Sequence, residues 1–254
     1  MKPIPLTVIV LAHRAGKKLE NALASVSFAN EIIVIDNNSG ADWKALAKSL
    51  PLVVKTNAAA ITNFSAVRNT ALSQASNDWV LFLDSDEEVA SPAVPKLAAL
   101  LTSNANGGVV TRSDVFHGKK LEYGEAGNQQ IIRLGKKDTI MFNGAVHEVA
   151  TVTGELSYTG IEILHYSHDS IKEFIADVSH YAFIAAQQKT TSFNQNLLEM
   201  VTFPVGKLLY GLFIQGGIID GWPGITYAYC MSLHSLLVRM YRYEILAHTS
   251  TDKK

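Results

Sequence analysis

Over its first third the chain switches repeatedly between two periods of hydrophobic and polar positions. Leu6–Ala12 (LTVIVLA) and Glu31–Ile35 (EIIVI) are almost unbroken apolar runs of strand-forming residues, the pattern of strands covered on both faces. Between them, Lys17–Phe28 carries apolar residues at 19, 22, 23 and 26, a helical stripe. Asp36-Asn-Asn-Ser-Gly40 is a loop by composition. Trp43–Leu50 reads as a short helix and Leu52–Lys55 as a third strand. Ser65–Ala75 reads as a helix with Asn63 or Ser65 as its cap. Trp79–Leu83 (WVLFL) is a further buried strand that runs into Asp84. Strands recurring with helices between them predict an α/β fold, a parallel sheet with helices on its faces. Ligands of such sheets bind beyond the carboxyl ends of the strands, where Asp36 and Asp84–Asp86 fall.

Downstream the pattern changes twice. Val94–Thr102 reads as a helix, and residues 107–166 hold shorter strand-like pieces at Gly108–Arg112, Gln130–Leu134, Glu148–Val152 and Ile161–His165. From Ser170 the chain turns helical, with Ile171–Gln188 amphipathic. Two greasy segments follow, Leu208–Ile219 and Ile225–Val238, around the breakers Asp220-Gly-Trp-Pro-Gly224. Each is too short to span a bilayer. These changes divide the chain into a domain over 1–168 and a helical extension over 169–254.

The strand at 79 ends in four carboxylates within five positions, Asp84-Ser-Asp86-Glu87-Glu88. If the strand persists, Asp84 and Asp86 point the same way. Two such charges ~4 Å apart repel by roughly 1 kcal/mol in water and about 4 at an effective dielectric near 20. A divalent cation with oxygen ligands relieves that repulsion, and so does protonation of one acid. The competing reading is a solvated acidic turn that caps the next helix. A calcium loop of the EF-hand type is excluded, because the third acid and the glycine are missing.

Composition adds bounds. The 254 residues are 48% hydrophobic with a net charge of −1, so nothing favours nucleic acid as a partner. A single cysteine, Cys230, excludes an internal disulfide and fits a reducing compartment. The apolar run near the N-terminus is too short for an export signal, which leads to the expectation of a cytoplasmic protein.

With these motifs placed, the chain resembles the inverting glycosyltransferases of family 2, which have the GT-A nucleotide-sugar fold. Within the family it is similar to short bacterial lipopolysaccharide-core β-1,4-glucosyltransferases. The resemblance rests on LTVIVLA, EIIVIDNNSGAD, VRNTALSQASNDWVLFLDSDEEV, IIRLGKKDTIMFNGAVHE, ILHYSH and FPVGKLLYGLFIQGGIIDGWPGI, which together touch most of residues 6–226. The chain departs from many relatives at His13-Arg14, where they carry Asn-Glu, and at Asn37 and Asn38, where smaller residues are common. The resemblance implies a mixed, mostly parallel GT-A sheet that binds a nucleotide-sugar donor, UDP-linked, with Mn²⁺ or Mg²⁺.

The resemblance also implies roles. Asp86 would ligate the metal bridging the donor diphosphate, and Asp84 would contact the ribose or the metal shell. Ala12 and Asp36 would line the nucleoside site, and Arg68 would reach the diphosphate or brace the carboxylates. The competing readings are a loop-forming role for Asp36 and an exposed salt bridge for Arg68. Inverting transfer needs a base for the acceptor hydroxyl, for which Glu148 in Val146-His147-Glu148 is the choice, with Glu87 and Glu88 as alternatives. Those two acids otherwise read as supporting or helix-capping charges. His165 is a candidate third metal ligand, with His168 behind it. Arg133 would contact acceptor or phosphates.

Two readings stay open for the tail. It is either ordinary core or a helical pair in the membrane interface, as Lys207, Arg239, Arg242 and the aromatics at 210, 213, 222, 227, 229, 241 and 243 suggest. The expected partners are thus a nucleotide sugar, a lipid-linked or core-oligosaccharide acceptor and the cytoplasmic face of the inner membrane. The rival functions are a nucleotidyltransferase on a similar fold and a non-catalytic, membrane-associated binding or scaffold protein.

Overall fold

A computed structural model describes residues 3–13, 15–57, 61, 63–144 and 148–251. The chain separates into two compact units, Met1–Arg112 with Gln129–Tyr166, and Ser113–Asn128 with Ser167–Lys254.

In the first unit the apolar runs are strands: β1 (Ile4–Ala12), β2 (Ala29–Asp36), β3 (Leu52–Thr56) and β4 (Trp79–Asp84). The helices between them are α1 (Lys17–Ser25), α2 (Trp43–Leu46) and α3 (Phe64–Leu72). The Asp42 carboxylate caps α2 by accepting from the Ala45 N–H, and Asn63, not Ser65, caps α3 by accepting from Ala66. Beyond β4 come β5 (Glu87–Val89), α4 (Val94–Leu101), β6 (Gly107–Phe116), β7 (Lys119–Lys120), β8 (Gln129–Lys136), β9 (Ile140–Asn143), β10 (Val149–Val152) and β11 (Leu156–His165).

The main sheet runs in the order β3-β2-β1-β4-β8-β6-β11-β5, with β7 on the edge of β6. Its first four strands are parallel, as the βαβ pattern requires. Strand β8 pairs antiparallel with both β4 and β6, and β5 pairs antiparallel with β11. This mixed α/β sheet, parallel where the helices alternate with strands, is the expected fold class.

Side chains of β1 alternate between two apolar layers. Leu6, Val8 and Val10 pack with Leu19 and Leu23 of α1, Val26 just after it, and Leu97 of α4. Ile9 and Leu11 pack with Ala71 and Leu72 of α3, Phe82 and Phe142. Strands β5 and β9 carry no apolar run long enough to be read from sequence; β9 joins this core because Asn69 on α3 both donates to the Phe142 carbonyl and accepts its N–H, at 2.9 and 3.0 Å.

The second unit holds α5 (Ile171–Gln188), α6 (Phe193–Leu209) and α7 (Trp222–Thr251). Residues 113–128, read from sequence as part of the first domain, belong here instead. Phe116, Leu121 and Ala126 share a core with Phe174, Val178 and Cys230. The buried Asp220 carboxylate accepts the Glu122 and Tyr123 N–H groups at 3.0 and 2.8 Å.

The greasy segment expected at 208–219 is not one element. Helix α6 passes into a π-turn at Tyr210–Ile214, and a left-handed Gly216 then starts a 3₁₀ turn at Gly217–Asp220. Taken together, Phe193–Ile214 is 22 residues long with mean hydropathy 1.5 over its most apolar window, which by length and composition could cross a membrane. The sequence reading missed this because Glu199 and Lys207 interrupt the run. Both turn to partners, Glu199 to Lys189 at 2.7 Å and Lys207 to Glu125 at 2.8 Å.

Phe82 is fully buried and meets Phe142 edge-on, with ring centroids 4.5 Å apart. Phe82→Ala should cost about 3–5 kcal/mol, read as a lower urea midpoint with an unchanged slope. A cost under about 1 kcal/mol would mean that the α3–β9 layer collapses to fill the space.

Candidate active site

The parallel strands deliver three of the expected residues to one end of the sheet. Ala12 stands opposite Asp36, and Leu11 opposite Asp84, in the β1–β2 and β1–β4 registers. Ala12 is buried. Asp36 accepts the Ser39 N–H on one oxygen at 2.9 Å and the Trp43 indole N–H on the other at 3.0 Å. Burial works to raise its pKa, but these donors prevail and hold it below the ordinary carboxylate value. Asp36 therefore organises its own loop.

Strand β4 stops at Asp84, and Ser85-Asp86 form a turn into β5. The alternation expected to align Asp84 with Asp86 ends there, and the two acids have different partners. Asp84 lies between two guanidiniums, with Arg68 Nη2 at 2.6 Å from one oxygen and Arg133 Nη2 at 2.8 Å from the other. Arg68 Nε donates to Glu148 at 3.0 Å. The same Arg133 Nη2 donates to Glu87 Oε1 at 2.8 Å, and Arg112 Nη1 stands 3.7 Å from that oxygen. The result is an alternating chain, Glu87–Arg133–Asp84–Arg68–Glu148. Arg68 is also within 6 Å of the Phe82 and Phe142 ring centres, at 5.9 and 5.3 Å.

Burial works to raise the Asp84 pKa, yet Arg133 and Arg68 hold it far below the usual carboxylate range. For Arg133, burial works to lower the pKa, and Asp84 and Glu87 more than offset it.

Asp86 faces a different neighbour. Its carboxylate oxygen is 3.6 Å from His165 Nε2 at the end of β11, and its side chain is 36% exposed. Burial pushes its pKa up, but the hydrogen bond and charge of His165 draw it down. A cation held by both would bring such donors to about 3 Å apart, given bonds near 2.1 Å. The pair thus fits two positions of a divalent site. Among the described residues no group of three or more His, Cys, Asp or Glu is arranged to hold a metal. Phosphate oxygens and water would have to supply the rest, as is usual for Mg²⁺.

The other expected residues are distributed as follows. Glu148 is brought to the network and held by Arg68. Arg68 is buried at 2% exposure and braces acids, one of the two roles expected of it. Glu87 supports the network, while Glu88 accepts from Asn21 at 3.1 Å and caps no helix. His168 belongs to the second unit, 3.4 Å from Asp177 and stacked on Phe174. His147 and Arg14 lie outside the described residues. Sequence reasoning missed Arg112 and Trp43 and left Arg133 without a partner. Arg133 lies 46 and 49 residues from the acids it joins. Only a strand pattern precise enough to set β8 beside β4 would have located it.

Comparison with known proteins gives the class. The profile of glycosyl transferase family 2 matches residues 7–154, more than half of the chain. The chain belongs to this family and is a glycosyltransferase with the GT-A fold. An uncharacterized glycosyltransferase of Rickettsia prowazekii is 24% identical over 239 residues, which cover 87% of this chain and 80% of the relative. Its Rickettsia typhi counterpart is 25% identical with the same coverage. Among solved structures, the mannosyltransferase PcManGT from Pyrobaculum calidifontis in complex with GDP-Man and Mn²⁺ has a TM-score of 0.50 at 14% identity. That match covers 95% of this chain and 87% of the other.

The pH dependence of stability tests the ion pairs. Because the folded-state pKa of Asp84 is depressed, its charge stabilises the fold above the ordinary carboxylate value of 3.8. That stability is lost as the pH falls below this value toward the depressed one. Urea midpoints of the wild type and Asp84→Asn should differ near pH 7 and converge below about pH 4. A gap that stays constant with pH would show that the Asp84 charge contributes nothing.

Proposed function

We propose that this enzyme is a metal-dependent, inverting hexosyltransferase. It would move glucose from a UDP-sugar to a lipid-linked or lipopolysaccharide-core glycan at the cytoplasmic face of the inner membrane. The observation that carries the metal and donor roles is the approach of Asp86 to His165, beside an Asp84 whose charge is already met by arginines. Asp86 and His165 are the residues that would hold Mn²⁺ or Mg²⁺; imidazole in the pair favours Mn²⁺. A bound cation supplies neutralisation of the diphosphate and stabilises the departing nucleoside diphosphate.

The protein's own groups then divide the work. Asp84, fixed by Arg68 and Arg133, offers a directed carboxylate to the ribose. Asp36 and Ala12 form the nucleoside end, where the backbone of β1 and the loop after β2 bound the space. Glu148 is assigned the acceptor proton, because inverting transfer needs a base for the acceptor hydroxyl. Asp86→Ala should lose at least about a hundredfold in Mn²⁺-dependent UDP-sugar hydrolysis or transfer with its fold intact by circular dichroism. Wild-type turnover in that variant would remove the metal assignment. Consumption of a nucleoside triphosphate with a sugar phosphate would replace the whole reading with nucleotidyl transfer.

The membrane part of the proposal is supported by the exposed side chains of the second unit. Val201, Ile214 and Trp222 are 70%, 73% and 80% exposed, and aromatic residues with one wet edge suit the interface. The full-length protein should float with anionic liposomes. Val201→Glu with Ile214→Glu should reduce the bound fraction at least about fivefold, since charge is costly in that layer. Equal flotation of the variant and wild type would remove the membrane surface from the list of partners.

A further inference from the structure

Of the four acids at 84–88, Glu87 alone is fully buried, and its contacts converge on the turn that presents Asp86. Its Oε2 accepts the Asp84 N–H at 3.0 Å, closing the turn across Ser85 and Asp86. Its Oε1 accepts at 2.8 Å from the Arg133 nitrogen that also donates to Asp84 at 2.8 Å. Its backbone stands opposite His165 in the antiparallel β5–β11 ladder. On the other side of the turn, the Tyr166 N–H donates to the Asp86 carbonyl at 2.8 Å. Asp84, Asp86 and His165 are therefore all referenced to residue 87, by side chain, by chain continuity and by strand register.

We propose that Glu87 is a positioning residue of the donor site, whose buried carboxylate sets the 84–86 turn and Arg133 and so the approach of Asp86 to His165. This rests on the reading of Asp86 and His165 as cation donors. The carboxylate is needed for a physical reason. Arg133 is shared between two acids, and without the Glu87 charge it draws on Asp84 alone. Asp84 would then shift toward Arg133 and carry the turn with it. A carboxamide at 87 keeps the volume and the acceptor for the Asp84 N–H but removes that balance.

The test is isothermal titration of UDP in the presence of Mn²⁺, beside steady-state kinetics with a UDP-sugar. Glu87→Gln should weaken Mn²⁺-dependent UDP binding by about 10–100-fold, the range seen when groups that orient metal ligands are removed. The donor KM should rise with it, while kcat changes less. Should Glu87→Gln fail to fold, the pair Glu87→Gln with Arg133→Met removes both charges, so neither is left buried and unpaired. That pair should fold and still bind UDP with Mn²⁺ at least about tenfold more weakly. A folded variant that binds within about twofold of the wild type and differs only in melting temperature would overturn the proposal, reducing Glu87 to a stabilising group. A wild type that binds UDP no better with Mn²⁺ than without it would overturn the donor-site reading itself, a different and separable result.

Discussion

The part-buried alternation of charge from Glu87 through Arg133, Asp84 and Arg68 to Glu148 is the interaction on which the first unit depends. Its members come from β4, β5, β8, α3 and the segment before β10, so it ties the last of the parallel strands to the antiparallel β8 beside it. An isolated buried charge in this position would cost several kcal/mol, and the pairs are tolerated because every carboxylate in the chain has a guanidinium against it. Deleting one member leaves its partner charged and stranded, whereas an apolar replacement of the whole set is not excluded by energy. What the charges provide here is direction. Asp84 cannot rotate without breaking two short ion pairs, and the turn that follows it inherits that constraint.

This division of labour explains why four acids in five positions do not behave as one acidic patch. Two are absorbed by the scaffold: Asp84 by two arginines, and Glu87 by Arg133 and a backbone N–H. Asp86 is left nearer solvent, facing an imidazole. Repulsion between Asp84 and Asp86 is thereby met by fixed positive charge on the Asp84 side. The turn is part buried and braced, with one acid available.

The second unit follows a different rule. Its two charged residues within Phe193–Ile214, Glu199 and Lys207, turn to partners inside the unit. Large apolar side chains are left outward along the same helix. A helix that satisfies its polar groups inward and exposes its apolar ones reverses the usual arrangement for a water-facing surface.

The sequence by itself determined the strands and helices of the parallel half, because buried strands and amphipathic helices each have a local period that β1, α1, β2 and β4 display without help from the rest of the chain. It also placed Asp36 and Asp84 at strand ends, since that follows from counting along the runs, and the VRNTALSQ and DSDEE blocks were specific enough to indicate the family. What it could not determine was which charges meet. Arg133 and Arg112 lie on antiparallel strands with no distinctive pattern, and their partners depend on the register of β8 and β6. Residues 113–128 look like more of the same sheet until their apolar side chains are seen to share a core with α5 and α7. The polar interruptions in α6 hid a long apolar helix, because ion pairing is invisible in a hydropathy count. Local periodicity is written in neighbouring residues, but charge pairing, strand register and the ownership of a core are set by contacts between distant ones, and only the tertiary structure decides those.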